Sequence, residues 1–164
     1  MSSGLALVRF PGYLLIILGA LMSTAQHTPA AQPADLLKEF ERAQLLIETT
    51  NSGCVLFNVY IATSSQQRSQ GLMYIRSMAA DEGMLFIYSQ PAQISMWMKN
   101  TLIPLDMLFI DSTSRISSIH ENAVPYSEAI IESKDIVAGV LELNGGAARR
   151  YGITPGNRLI FPAG

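Results

Sequence analysis

Cysteine is almost missing from this sequence. Cys54 stands alone, so the chain cannot close an internal disulfide and must be held together by a packed core. Histidine is nearly as scarce, with 2 in 164 residues. His120, in His120-Glu121-Asn122, lacks the paired spacing of a metal-ligating histidine motif. No GxSxG elbow marks a nucleophilic serine, and no glycine-rich loop is laid out to cradle phosphate. Cys54 and His120 are formally a nucleophile and a base, but Cys54 sits in a strand-like run and reads as a small core residue. Basic residues are outnumbered, 11 to 13, for a formal charge of −2. They form neither the basic stripe that nucleic acid requires nor a cluster suited to anionic lipid.

The N-terminus does carry a signal. Arg9 precedes the apolar run Tyr13 to Met22, which ends in Ser23-Thr24-Ala25. A basic residue, a short apolar centre and small residues at the end form a secretory leader, with cleavage expected after Ala25. The run is shorter than the roughly 20 residues that span a bilayer, so only an uncleaved leader would tie the protein to a membrane. Cleavage removes Arg9 and no acid, leaving the mature chain one unit more negative. The protein is therefore expected to be exported, periplasmic or extracellular. Residues 26–44 read as a linker rich in small and polar residues, with a short helix from Leu36 to Ala43 capped by Asp35.

Residues 45–164 read as one β-rich domain. Leu45 to Glu48 and Cys54 to Ile61 flank the turn signal Asn51-Ser52-Gly53, and Phe57, Val59 and Ile61 alternate with polar residues. Ser64 or Ser65 caps a short helix ended by Gly71. Further strand-length runs are Met84 to Tyr88, Ser95 to Lys99, Leu105 to Ile110, Ile116 to Ala123, Ile136 to Leu143 and Arg158 to Phe161. Asp111 to Ser114 reads as a hairpin connection, and Ala147 to Tyr151 as one helical turn stopped by Gly152. The pattern predicts a predominantly β, single-domain β-sandwich or half-open barrel with one or two short helices.

The polar residues of Met96-Trp97-Met98-Lys99-Asn100-Thr101 and Pro104-Leu105-Asp106-Met107 need an explanation in so apolar a frame. Folding residues 96–110 as a hairpin about Leu102-Ile103 sets Met98 opposite Met107 and Lys99 opposite Asp106, an attraction of roughly 0.2–1 kcal/mol. Leu102-Ile103 is too apolar for a tight solvated turn, so the loop is expected to pack under another segment or to form a lip beside a cleft. Trp97, Lys99, Asn100, Thr101 and Asp106 are the candidate cleft residues. Glu142 and Asn144 join them, because they share a face of a second apolar run that ends in Gly145-Gly146.

These segments, taken in order with Gly71-Leu72-Met73-Tyr74, Gly83-Met84-Leu85-Phe86, Gly152-Ile153 and Pro155-Gly156, resemble the bacterial and archaeal family catalogued as domain of unknown function 192. The resemblance covers roughly residues 45 to 162. It implies a compact β-rich fold, often behind a signal peptide, and no established activity. Asn157 stands where such sequences usually have aspartate, and Gly139 where many have an aromatic residue. Arg68 and Arg76 flank the Gly71-Leu72-Met73 segment as the family's basic residues do, which makes Arg68 a candidate partner for a carboxylate or an anionic ligand.

Three functional expectations follow. The first is a non-catalytic binding domain for a saccharide or another small polar ligand, with its cleft near Trp97, Lys99 and Asp106. The second is a polysaccharide-acting hydrolase using Asp106 and Glu142 as its carboxylate pair. The third is a Cu(I)-binding protein using the thioethers of Met96 and Met98. Binding without catalysis is the favoured reading, with no cofactor, no resident metal and no nucleic acid.

Overall fold

The computed structural model describes residues 36–49 and 53–162. The expected leader and the linker up to residue 35 lie outside the described residues. The described elements are β1 (Glu41–Thr49), β2 (Gly53–Ala62), α1 (Ser65–Gln70), β3 (Glu82–Ala92), β4 (Ser95–Met96), β5 (Leu105–Ile110), β6 (Ile116–Ala123), β7 (Ile131–Glu132), β8 (Val137–Asn144), α2 (Ala147–Tyr151) and β9 (Arg158–Ile160). The predominantly β expectation holds.

Alternation drives the first hairpin. Leu45 and Ile47 of β1 and Phe57, Val59 and Ile61 of β2 are buried on one face, with Leu45 opposite Phe57. This pairing overrides the helix expected from Leu36 to Ala43. Residues 36–39 form a turn instead, and β1 begins at Glu41, opposite Ile61. Side chains of the following helix hold that turn: Gln67 donates to the Glu39 carbonyl at 3.0 Å, and Gln70 to that of Leu36 at 2.6 Å. Cys54 is exposed in β2 rather than buried in the core.

Local chemistry fixes α1 as expected. The Ser64 hydroxyl accepts the Gln67 N–H and the Gln67 side chain accepts the Ser64 N–H, both at 3.1 Å, and Gly71 ends the helix. Such a reciprocal cap is worth about 1 kcal/mol. The helix carries the chain across to β3, which runs parallel to β2. The other pairings of the large sheet are antiparallel.

That sheet has 7 strands in the order β6-β5-β8-β3-β2-β1-β9. It curls until its two edges touch. The Ile116 N–H donates to the Asn157 carbonyl at 2.9 Å and the Leu159 N–H to the Ser114 carbonyl at 2.8 Å, beside a bridge between Arg115 and Arg158. The result is a half-barrel. One apolar cluster, including Leu45, Phe57, Leu108, Leu141 and Leu159, fills the inside of the curl. A second, including Met84, Phe86, Met98, Met107 and Val140, covers the opposite face and is closed over by Leu72, Ile75 and Ile94.

The expected hairpin over residues 96–110 is not formed. β4 stops at Met96 and pairs with β7, whereas β5 lies between β6 and β8. Met98 is buried in the outer cluster, and Ile103 packs against the same cluster, so the apolar loop lies against the body. Lys99 does not face Asp106. Asp106, with no exposed surface, points into the inner cluster's side with Leu108 and Ile110. Its Oδ1 accepts the N–H groups of Asn122 at 2.8 Å and Gly146 at 3.0 Å, and its Oδ2 accepts that of Ala148 at 2.8 Å. The two glycines divide the work between them. A Cβ on Gly145 would meet the Pro104 Cβ at 2.9 Å, and Gly146 adopts φ 81° to aim its N–H at the carboxylate.

Asp106 is thus a staple between β5, the end of β6 and the start of α2. Replacing it with alanine strands three donors in poorly hydrated surroundings, at about 1–3 kcal/mol each. Asp106→Ala is expected to lower the unfolding free energy by about 3–5 kcal/mol in urea titrations. A loss under about 1 kcal/mol would contradict this role.

Candidate functional site

A cavity of about 350 Å³ opens on the outer face of the half-barrel. Strand register decides what lies at its floor. Glu142 of β8 sits between Met84 of β3 and Met107 of β5, and both methionines belong to the outer cluster. Its carboxyl side chain is therefore set among apolar neighbours and is only 4% exposed. Among the described residues Glu142 makes no hydrogen bond and no ion pair, and burial pushes its carboxyl up to about 8.

α1 and the segment behind it form one wall, where Arg68 stands beside Gly71-Leu72-Met73. The guanidinium lies 4.9 Å from the Tyr88 ring centre and also donates to the Thr63 and Ile87 carbonyls. Tyr88 lines the cavity two residues beyond Phe86, on the same side of β3. Burial raises the Tyr88 phenol, the Arg68 charge opposes that rise, and the Glu142 carboxyl adds to it. The Tyr88 hydroxyl reaches the Met96 sulfur at 3.8 Å.

The facing wall is the segment from Met96 to Thr101. Trp97 is 46% exposed, and the Lys99 Nζ lies 5.4 Å from its ring centre. Backbone hydrogen bonds anchor this wall, with Met98 buried in the outer cluster. Met98 N–H donates to the Ser127 carbonyl at 2.9 Å, Tyr74 N–H to that of Asn100 at 2.9 Å, and Tyr126 N–H to that of Thr101 at 3.1 Å. Tyr74, Asn100 and Tyr126 all have positive φ, at 64°, 56° and 60°. Three left-handed non-glycine residues cross-linked in one corner store strain of order 1–3 kcal/mol each.

Of the residues expected in a cleft, Arg68, Trp97, Lys99, Thr101 and Glu142 come together around this cavity. Asn100, Asp106 and Asn144 do not. Asn100 serves the wall through its backbone, and its Nδ2 reaches the Met73 sulfur at 3.9 Å. Asn144 donates to the Met78 and Ala79 carbonyls at 3.3 and 2.8 Å, tying down the loop before β3. Asn157 accepts from Thr154 N–H at 2.8 Å in a turn, where an amide oxygen serves as well as a carboxylate.

The carboxylate pair expected of a hydrolase is ruled out by register. Asp106 pairs with Leu143, on the inner side, while Glu142 pairs with Met107, on the outer side. Two acids on opposite faces of one sheet cannot flank one glycosidic bond. The Met96–Met98 copper site fails on the same kind of evidence. Met98 has no exposed surface and lies beyond the end of β4, so the two sulfurs are not offered from one strand face. Cys54 and His120 stand exposed on β2 and β6, which are not sheet neighbours. Tyr88 was missed from sequence, although its period-two spacing from Met84 and Phe86 places it on the face of the future floor.

The family model for DUF192, described as "Uncharacterized ACR", matches residues 46–161. A solved structure from Sinorhizobium meliloti 1021, described as a candidate transcription regulator, is similar at 49% identity and a TM-score of 0.73, covering 74% of this chain and 95% of that one. A protein of unknown function from Novosphingobium aromaticivorans DSM 12444 is similar at 34% identity and the same TM-score, covering 76% of this chain and 89% of that one. No curated protein matches the chain.

The Glu142 carboxyl has a consequence for stability. In the unfolded chain it loses its proton near its ordinary value of 4.5, whereas in the folded protein it keeps that proton up to about 8. Between these values the folded state binds more protons, so stability falls as pH rises, by up to about 5 kcal/mol across the window, and levels off above it. At Asp111 slight burial is outweighed by hydrogen bonds from Arg115 and Thr113, which hold the carboxyl low, so its effect lies below that window. Urea unfolding at a series of pH values is expected to show the decline, and Glu142→Gln to remove it. A flat wild-type profile from about pH 5 to 8 would contradict the burial of this acid.

Proposed function

We propose, for a chain that belongs to the DUF192 family, that the half-barrel is a small-molecule-binding domain and that the cavity above Glu142 is its ligand site. The observation that carries this reading is the Glu142 carboxyl itself. Among the described residues no donor reaches this nearly buried carboxyl, and it borders a cavity lined by Met73, Phe86 and Trp97. An apolar hollow with a few convergent polar groups is what small-ligand sites look like. The strained Met96–Thr101 wall adds support, because strain of this kind gathers at ligand clamps.

The ligand is small and polar with an apolar part, and a saccharide stacked on Trp97 is one form of it. The half-exposed indole gives such a ligand a flat platform at the rim, while Thr101, Lys99 and Arg68 offer polar contacts. The support for an extracytoplasmic setting is the leader from Arg9 to Ala25. The role of transcription regulator ascribed to the Sinorhizobium meliloti protein finds no support in the charge of this chain. A formal charge of −2 and a pI of about 5.6 supply no basic footprint for DNA.

Calorimetric titration with a panel of simple sugars and small aryl acids, amides and amines tests this reading. At least one compound is expected to bind saturably, and Trp97→Ala to weaken it by about tenfold or more. Because the indole is half exposed, the same substitution should cost under about 1 kcal/mol of stability. Unfolding of the Trp97→Ala protein, or an unchanged affinity, would contradict a ligand platform at Trp97.

A further inference from the structure

The charge and the aromatic faces around the cavity narrow the ligand further, on the reading that the cavity is a ligand site. Trp97 and Tyr88 each already carry a cation of the protein's own: Lys99 lies 5.4 Å from one ring centre and Arg68 4.9 Å from the other. A ligand cation brought between the rings would meet the like charges of Lys99 and Arg68. Neither Lys99 nor Arg68 is in an ion pair among the described residues, unlike Arg42 with Glu82 and Arg149 with Glu121. Two cations without counter-charges therefore flank the cavity, and the acid in its lining, Glu142, is buried where an uncharged carboxyl is the favoured form.

We propose that the site takes a small organic acid, bound as its carboxylate between Arg68 and Lys99, with the Glu142 carboxyl donating its O–H to the ligand and the ligand's apolar part lying against Phe86, Met96 and Trp97. The proton balance is simple. The ligand arrives ionised, Glu142 keeps its proton, and the two share it in a charge-assisted hydrogen bond of the stronger kind. The apolar lining sets this ligand apart from a bare inorganic anion, which would leave the half-exposed Trp97 uncovered. A phosphate would also bring up to two charges against a floor that rejects charge.

The charged and titratable groups that share the cavity with Glu142 are Arg68 from α1, Tyr88 from β3 and Lys99 from the opposite wall, while β5 sets Met107 beside it. Tyr88 is raised above its usual value of 10. Its phenol therefore stays neutral while Glu142 releases its proton near 8. Loss of that proton puts a second negative charge beside the bound carboxylate, so affinity is expected to fall above that pH.

The test is calorimetric titration of the whole protein with 3-phenylpropanoate, 3-phenylpropanamide and 3-phenylpropylamine, which share a shape and differ in charge. At about pH 6 the carboxylate is expected to bind at least about tenfold tighter than either analogue. By about pH 9.5 its affinity should have dropped about tenfold or more. Arg68→Gln and Lys99→Gln should each weaken the carboxylate several-fold and leave the amide unchanged, with Arg68→Lys restoring most of the loss. Glu142→Gln, whose amide still donates, should keep binding at pH 6 and abolish the loss at high pH, a signature that a merely structural residue would not give. Equal or tighter binding of the amide or the amine overturns the anion assignment while leaving the cavity a ligand site. Failure of all three compounds also overturns it, and binding of a sugar would then keep the broader reading alive.

Discussion

One register, β5 against β8, decides the fate of two carboxyl groups. Asp106 stands opposite Leu143 and Met107 opposite Glu142. Because side chains alternate along a strand, this pairing sends Asp106 to the inner side and Glu142 to the outer side. The same chemical group then meets two environments. Three backbone N–H groups converge on Asp106, and it becomes the staple that joins two strands to α2. Glu142 meets two methionines and a cavity, and among the described residues nothing donates to it. A slip of one residue would exchange the two roles and dismantle both the staple and the floor.

The cavity is costly by the standards that govern the rest of the molecule. Many polar groups elsewhere are matched, such as Ser64 with Gln67, Asn144 with two carbonyls and Asn157 with Thr154, although the buried Ser118 hydroxyl has no partner. Around the cavity an acid lies buried without a donor, two cations rest on rings rather than on carboxylates, and three residues take left-handed backbone. An unpaired acid, two ring-bound cations and strained backbone gathered in one place mark a region where local stability has been given up. A carboxylate ligand would relieve the acid and the cations together.

Much of the architecture was legible in the sequence because it is locally encoded. The α1 cap at Ser64, its stop at Gly71, the turn from Asp111 to Ser114 and the paired Gly145-Gly146 all act over a few residues. The alternation of Phe57, Val59 and Ile61 gave the buried face of β2. What failed was long-range pairing. Residues 96–110 look like a hairpin because the charges of Lys99 and Asp106 would match across it, but the partners of β5 come from residues 116–123 and 137–144. The helix expected over residues 36–43 yielded to pairing with β2 for the same reason. Trp97, Lys99, Thr101 and Glu142 were recognisable as polar or aromatic residues out of place in an apolar frame, and Arg68 only through the family resemblance. Tyr88 was not, because a tyrosine in a strand is unremarkable until its neighbours across the sheet are known.

An uncharged carboxyl at the cavity floor underlies both the ligand site and its pH dependence, and infrared difference spectroscopy across a pH titration observes that group directly. A protonated-carboxyl band that is present at neutral pH, is lost with a midpoint of about 8 and is absent from Glu142→Gln is the predicted result. A band lost near the ordinary glutamate value of 4.5 would show Glu142 ionised and solvated at neutral pH, and the floor, the anion site and its pH dependence would fall together.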